Sequence, residues 1–202
     1  MANPRRALIV IDVQNEYFSG GLPIEYPDPQ VSLANIGRAI DTAEAHGIPV
    51  VLVQHLAAAD SPLFARGSEG AALHPAVAGR RHALLVEKGQ ASAFVGTGLG
   101  EWVREQQIDT LTVVGYMTQN CDDATIKHAV TLGLGAELLS DASGSPSYAN
   151  RAGQATAEEI HRVVTVTLQA AFAAVASTDA WIAAVEAGEA LPRDNIYSST
   201  RR

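Results

Sequence analysis

The chain has 202 residues, 47% of them apolar and 18% charged, which suits one globular domain with a substantial core. A net charge of −8, with no Lys/Arg cluster larger than a pair such as the terminal Arg201–Arg202, argues against a nucleic-acid footprint. One cysteine cannot close an internal disulfide, and the first apolar run is short and ends at Asp12, so the expectation is a cytoplasmic protein with no membrane span.

Six apolar runs follow in order, at 7–11, 50–53, 83–86, 111–114, 136–139 and 172–176. They are continuous rather than alternating, as expected of strands buried on both faces of a parallel sheet. Between the first two, residues 32–46 carry Leu33, Ile36, Ile40 and Ala43 on one helical face, with Gly47 as a C-terminal cap and Pro49 as a stop. Residues 56–82 are rich in Ala, Gly, Ser and Pro and longer than a routine connection, which predicts an active-site loop or lid. Further helices are expected at 99–106, from about Cys121 to Leu132, at 155–171 and at 181–187. Residues 194–202 read as a mobile or partner-binding tail. Strands alternating with helices predict an α/β fold, a doubly wound sandwich with right-handed crossovers.

In such sheets ligands bind beyond the carboxyl ends of the strands. The residues found there are Asp12, His55, the pair Glu87–Lys88, the loop to Cys121, and Asp141. A lone cysteine is more often a small buried hydrophobe than a nucleophile. Here, however, a carboxylate able to take the thiol proton and an ammonium able to hold that carboxylate ionised reach the same sheet edge. A thiol at a helix start also faces unpaired N–H groups and the positive end of the dipole, both of which favour thiolate.

Three motifs, IDVQNEYF (11–18), EKGQASAF (87–94) and GYMTQNC (115–121), make the chain resemble the isochorismatase-like cysteine hydrolases, a family that includes nicotinamidases and other amidases. The resemblance spans about 7–185. It implies a six-stranded parallel sheet of order 3-2-1-4-5-6, a hydrolase domain over 1–186 with a tail over 187–202, and Asp12, Lys88 and Cys121 as catalytic residues. It also implies a cis peptide between Tyr116 and Met117, with the N–H groups of Met117 and Cys121 as an oxyanion hole. Gln14, Tyr17, Phe18, His55, Phe94 and Tyr116 become candidate substrate-binding residues, with Asn15, Phe64, Arg66, Gln119 and Asn120 behind them.

The activity so implied is hydrolysis of a small amide or related C–N bond through a thioester. The alternatives are an isochorismatase-type vinyl-ether hydrolysis and a binding protein that has kept the fold. Nicotinamidases bind a metal through an Asp-x-His pair after the second strand, whereas Gln54, His55 and Leu56 stand there. The expectation is therefore no metal, no cofactor, and a small-molecule substrate other than nicotinamide. Alanine-rich C-terminal helices, together with the resemblance, point to a homo-oligomer.

Two local readings complete the expectations. Asp122 and Asp123 depart from the apolar residue many relatives place after the cysteine, and are read as favourable charge on a helix's first turn. Ser143, Ser145 and Ser147 are read as loop residues, since no G-x-S-x-G elbow surrounds them. The glycines at 96–100 place Glu101 where a dinucleotide fingerprint needs its third glycine, so they are read as a turn into a helix.

Overall fold

The computed structural model describes residues 3–201. Strands β1 (Arg6–Ile11), β2 (Val50–His55), β3 (Leu84–Lys88), β4 (Thr110–Tyr116), β5 (Gly135–Gly144) and β8 (Ala174–Ala176) form one parallel sheet in the order β3-β2-β1-β4-β5-β8. This is the expected order, the sixth strand being numbered β8 because a small antiparallel hairpin, β6 (Tyr148–Asn150) with β7 (Gly153–Ala155), precedes it. The central strand β1 is buried at every position, because helices cover both faces of the sheet.

One face is covered by α1 (Pro29–Ala45) and α6 (Thr178–Ala187), which bury Ile36, Ile40 and Trp181. The other is covered by α3 (Leu99–Glu105), α4 (Asp123–Thr131) and α5 (Ala157–Ala171), which bury Leu99, Val103, Ile126 and Leu168. Each such side chain contributes about 1.5–3 kcal/mol by leaving water. Local chemistry sets the helix limits. Asp28 caps α1 by accepting from the Gln30 N–H, and Gly47 ends it at φ 67. Thr156 and Glu159 form a reciprocal capping box at the start of α5. Arg6 and Glu137 form a buried ion pair at 2.8 Å, and the Trp181 indole donates to Glu137 and Thr112 at 3.1 Å.

The expected bounds of β5 and of the last strand are corrected, and the loop and tail gain detail. β5 runs well past the apolar residues 136–139, and its pairing with β4 shifts register between Val113 and Gly115, so that Gly115 faces Ser143. Phe172 closes α5 instead of opening the last strand. Residues 56–82 contain α2 (Pro75–Ala78) and are bridged to the body at Gln14 and Leu73. In the tail, Asn195 caps a short helix, α7 (Ile196–Ser199); Arg202 lies outside the described residues. No helix among the described residues is long and apolar enough to cross a membrane.

Candidate active site

The sheet order reverses between β1 and β4, and the crevice at their carboxyl ends gathers side chains from β1, β3 and the turn after β4. Asp12, immediately after β1, has a left-handed backbone (φ 51), a conformation unusual for a non-glycine residue and typical of functional positions. Lys88 ends β3. Its Nζ lies 2.7 Å from Asp12 Oδ2, 3.2 Å from Cys121 Sγ and 3.4 Å from His55 Nδ1. The Asp12 and Lys88 side chains are fully buried and Cys121 is 5% exposed. Asp12 Oδ1 accepts no aligned hydrogen bond, and the Asp12 carboxylate and the Cys121 thiol lie within reach of each other. An open acceptor next to an S–H, with an ammonium bridging both groups, can take a proton from sulfur and return it.

The thiol belongs to a wide turn, Thr118–Asp122, in which the Asp122 N–H reaches back to the Met117 carbonyl at 3.2 Å before α4 begins. The Tyr116–Met117 peptide is cis. The reading of Cys121 as a thiol whose place at a helix start favours thiolate is corrected. Burial pushes its pKa up, Asp12's charge pushes the same way, and Lys88 offsets this only in part. Burial also raises Asp12, against the opposing pull of Lys88. Burial and the Asp12 charge therefore favour the neutral thiol over the thiolate.

Gln14 is wholly buried and both ends of its amide are engaged. It accepts from the His55 N–H at 2.9 Å and donates to the carbonyls of His55 (2.9 Å) and Ala71 (2.6 Å). It thereby stitches β2 to the 56–82 loop, and its polar atoms are committed to main chain. From that loop Phe64 packs edge-on against His55 at 5.4 Å and against Tyr17 at 5.1 Å. Arg66 pairs with Glu87 at the surface, at 2.9 Å. Burial and the nearby Lys88 charge depress the His55 pKa.

Tyr17 also touches Tyr116 at 5.4 Å, and the neighbouring carboxylates reinforce burial in raising its pKa. The Tyr116 hydroxyl is 2.8 Å from Ser32 Oγ and the residue is fully buried, which makes it a wall beneath the site. Phe18 packs on His74 at 4.4 Å, whereas Phe94 packs on His128 at 5.0 Å within the same apolar cluster as Cys121. Gln119 donates to the Tyr148 hydroxyl at 2.8 Å, and that hydroxyl lies 3.8 Å from Met117 Sδ. Tyr148 escaped sequence reasoning because it lies on the hairpin, 27 residues beyond the cysteine.

The readings of Asp122 and Ser143 are also corrected. Asp122 is fully buried and its Oδ2 is hydrogen-bonded to Ser143 Oγ, while Asp123 alone sits on the first turn of α4, paired with Lys127 at 2.7 Å. Ser143 is no loop residue: it lies on β5, 2.7 Å from Thr118 Oγ1, which is 2.9 Å from His161 Nδ1. No local signal marked these residues, because the polar end of β5 does not read as a strand.

The Isochorismatase domain family matches residues 6–180. The chain belongs to the isochorismatase family. This isochorismatase-family hydrolase is 64% identical to a relative of known crystal structure from Burkholderia xenovorans LB400, with a TM-score of 0.98 over 99% of this chain and 96% of that one. It is 29% identical to the nicotinamidase of Escherichia coli (strain K12), over 68% of this chain and 82% of the relative. It is 26% identical to an N-carbamoylsarcosine amidase from Arthrobacter sp, over 64% of this chain and 55% of the relative. A nicotinamidase-type metal site does not fit the donor set after β2. His55 turns towards Lys88, His74 caps α2 by accepting from the Ala76 N–H, and among the described residues no three His, Cys, Asp or Glu side chains are grouped.

Proposed function

We propose that this isochorismatase-family hydrolase cleaves a small amide, or a related C–N bond, through a thioester on Cys121. The observation that carries the reading is Lys88 Nζ bridging Asp12 Oδ2 at 2.7 Å and Cys121 Sγ at 3.2 Å while Asp12 Oδ1 remains free to accept. The two amidase relatives support the same bond class.

Asp12 Oδ1 takes the thiol proton as sulfur bonds to the carbonyl carbon, and the carbonyl π pair moves onto oxygen. The N–H groups of Met117 and Cys121 hold that oxyanion; losing one such donor costs about 3–4 kcal/mol of barrier. The oxyanion then re-forms the carbonyl, the C–N bond breaks, and Asp12 protonates the departing nitrogen. Asp12 next takes a proton from water, whose oxygen attacks the thioester, and returns it to the sulfur as the acid leaves. Lys88 keeps the carboxylate ionised and never has to give up its proton, because the charge of Asp12 holds its pKa up against burial. Tyr17, Phe64 and His55, which pack on one another beside Lys88, favour a small, uncharged acyl group.

The test is intact-protein mass spectrometry after mixing with a panel of small amides. An acyl adduct on wild-type Cys121, absent in Cys121→Ala, is expected. Turnover of an amide that survives Cys121→Ala overturns the reading, and turnover of isochorismate that survives it favours vinyl-ether hydrolysis instead.

A further inference from the structure

Thr118 and Asp122 directly follow Met117 and Cys121, the two residues assigned as oxyanion donors, and both are tied to one atom. Ser143 Oγ lies 2.7 Å from Thr118 Oγ1 and hydrogen-bonds Asp122 Oδ2. Thr118 Oγ1 continues the chain to His161 Nδ1 at 2.9 Å. Thr118, Asp122 and Ser143 are fully buried, His161 nearly so, and Asp122 Oδ1 has no partner. Four polar side chains from the 118–122 turn, β5 and α5 are thus linked in an interior where unmade hydrogen bonds are costly.

Three contacts need three hydrogens, and the two hydroxyls supply only two. The third belongs either to the Asp122 carboxyl or to His161 Nδ1. We propose that Asp122, Ser143, Thr118 and His161 form a positioning relay that fixes the spacing of the Met117 and Cys121 N–H groups and holds this one shared proton at Asp122 in the active state. The inference rests on the amide-hydrolase reading for its catalytic meaning.

In the active polarity the Asp122 acid donates to Ser143, Ser143 to Thr118, and Thr118 to His161 Nδ1, leaving the Nε2–H of His161 for the main chain of Ser140. The reverse polarity at equal proton count moves one proton along each link. Three O–H bonds break, two O–H bonds and one N–H bond form, and a carboxylate and an imidazolium result. Burial opposes that charge separation; it lifts the Asp122 pKa to about 7 and lowers that of His161 to about 4. Of the charged groups facing Asp122, Asp12 and Asp123 push in the same direction, while Lys88 and the Ser143 hydrogen bond oppose it. Tyr17 and Tyr116 face it as neutral phenols, and His161 packs against the Tyr26 ring. Once Asp122 ionises, the hydroxyls reverse and His161 must move its proton to Nδ1, giving up its Ser140 contact. The turn that carries both N–H donors then loses its arrangement.

The experiment compares two reactions of Cys121. Iodoacetamide alkylation reports the thiol alone, whereas acylation by p-nitrophenyl acetate also needs the oxyanion donors. Ser143→Ala and Asp122→Ala are expected to slow acylation by about 10- to 100-fold, as for donors slightly misplaced, and to change alkylation little. Asp122→Asn, which can still donate to Ser143, restores most of the lost rate and removes the decline in wild-type acylation above about pH 7. Equal loss of both reactions in Asp122→Ala, or an Asn variant no better than Ala, overturns the proposal. Nitrogen-15 NMR of His161 decides the relay separately: the wild-type ring should move its proton from Nε2 to Nδ1 through pH 7, and the Asp122→Asn ring should not. A wild-type ring unchanged through pH 7 overturns the relay. Absence of any wild-type acyl adduct, by contrast, overturns the amide-hydrolase reading while the ring signal still decides the relay.

Discussion

A Cβ built on Gly115 would sit 2.0 Å from the carbonyl oxygen of Ile11 and 2.8 Å from its carbonyl carbon. Ile11 precedes Asp12, and Gly115 precedes the Tyr116–Met117 cis peptide. The two halves of the site therefore approach through a contact that only glycine allows, at a φ of 114° that L side chains rarely adopt. Gly115→Ala should displace Asp12 from Cys121 and destabilise the fold by roughly 3 kcal/mol or more. Urea unfolding measures the second effect; a midpoint equal to the wild type would refute it.

Asp12 both deprotonates the thiol and, through its charge, holds the thiol pKa up. Asp12→Asn should therefore abolish amide turnover and at the same time speed iodoacetamide alkylation of Cys121 at neutral pH. Lys88→Met should slow both reactions, because the ammonium is the group that favours thiolate. Parallel alkylation and turnover assays read the split directly. Slower alkylation in Asp12→Asn would contradict the electrostatic assignment.

Asp122 and His161 give opposing slopes of stability against pH. The folded pKa of Asp122 is raised from 3.8 to about 7, so its contribution is present below pH 3.8 and lost as pH rises to 7. The folded pKa of His161 is lowered from 6.5 to about 4, so its contribution is present above pH 6.5 and lost as pH falls to 4. Between about pH 4 and 6.5 the folded state carries the proton on Asp122 and the unfolded state carries it on His161, so the two slopes cancel. Asp122→Asn should then show stability rising with pH over this interval, and His161→Gln should show it falling. Chemical denaturation at several pH values, each variant compared with the wild type, checks both signs.

Gln14 joins the His55 main chain to the Ala71 carbonyl. Gln14→Leu fills the space but leaves the His55 N–H and carbonyl without the Gln14 amide, while the Ala71 carbonyl keeps only the Gln54 amide, at a cost of about 1–3 kcal/mol. Amide exchange should accelerate in residues 54–73 while the central strands β1 and β4 stay protected. In turnover, a higher KM should accompany the loosened loop that carries Phe64. Unchanged exchange in that segment would mean the loop is held by other contacts.

Much of the fold was legible because hydrophobic burial acts on local runs. Uninterrupted apolar runs such as Ala7–Ile11 mark strands covered on both faces, and Leu33, Ile36, Ile40 and Ala43 mark the inner side of α1. β5 shows the limit of that signal. Its second half, Ser140–Gly144, is polar, yet it stays in the sheet because Gly115 and Tyr116 pair with Ser143 and Gly144. The hairpin at 148–155 is exposed at most positions and has no apolar pattern to betray it.

The sequence by itself determined a parallel α/β frame and placed Asp12, Lys88 and Cys121 after three of its strands, because uninterrupted apolar runs mark strands buried on both faces; the strand order came from the family resemblance and not from the runs. Only the tertiary structure decided the state of those groups. Burial favours the neutral thiol at Cys121 over a dipole-stabilised thiolate, and the packing commits Gln14 to main chain and turns Asp122 inward to Ser143. Desolvation and distance depend on what every other element places nearby, and no stretch of chain carries that information alone.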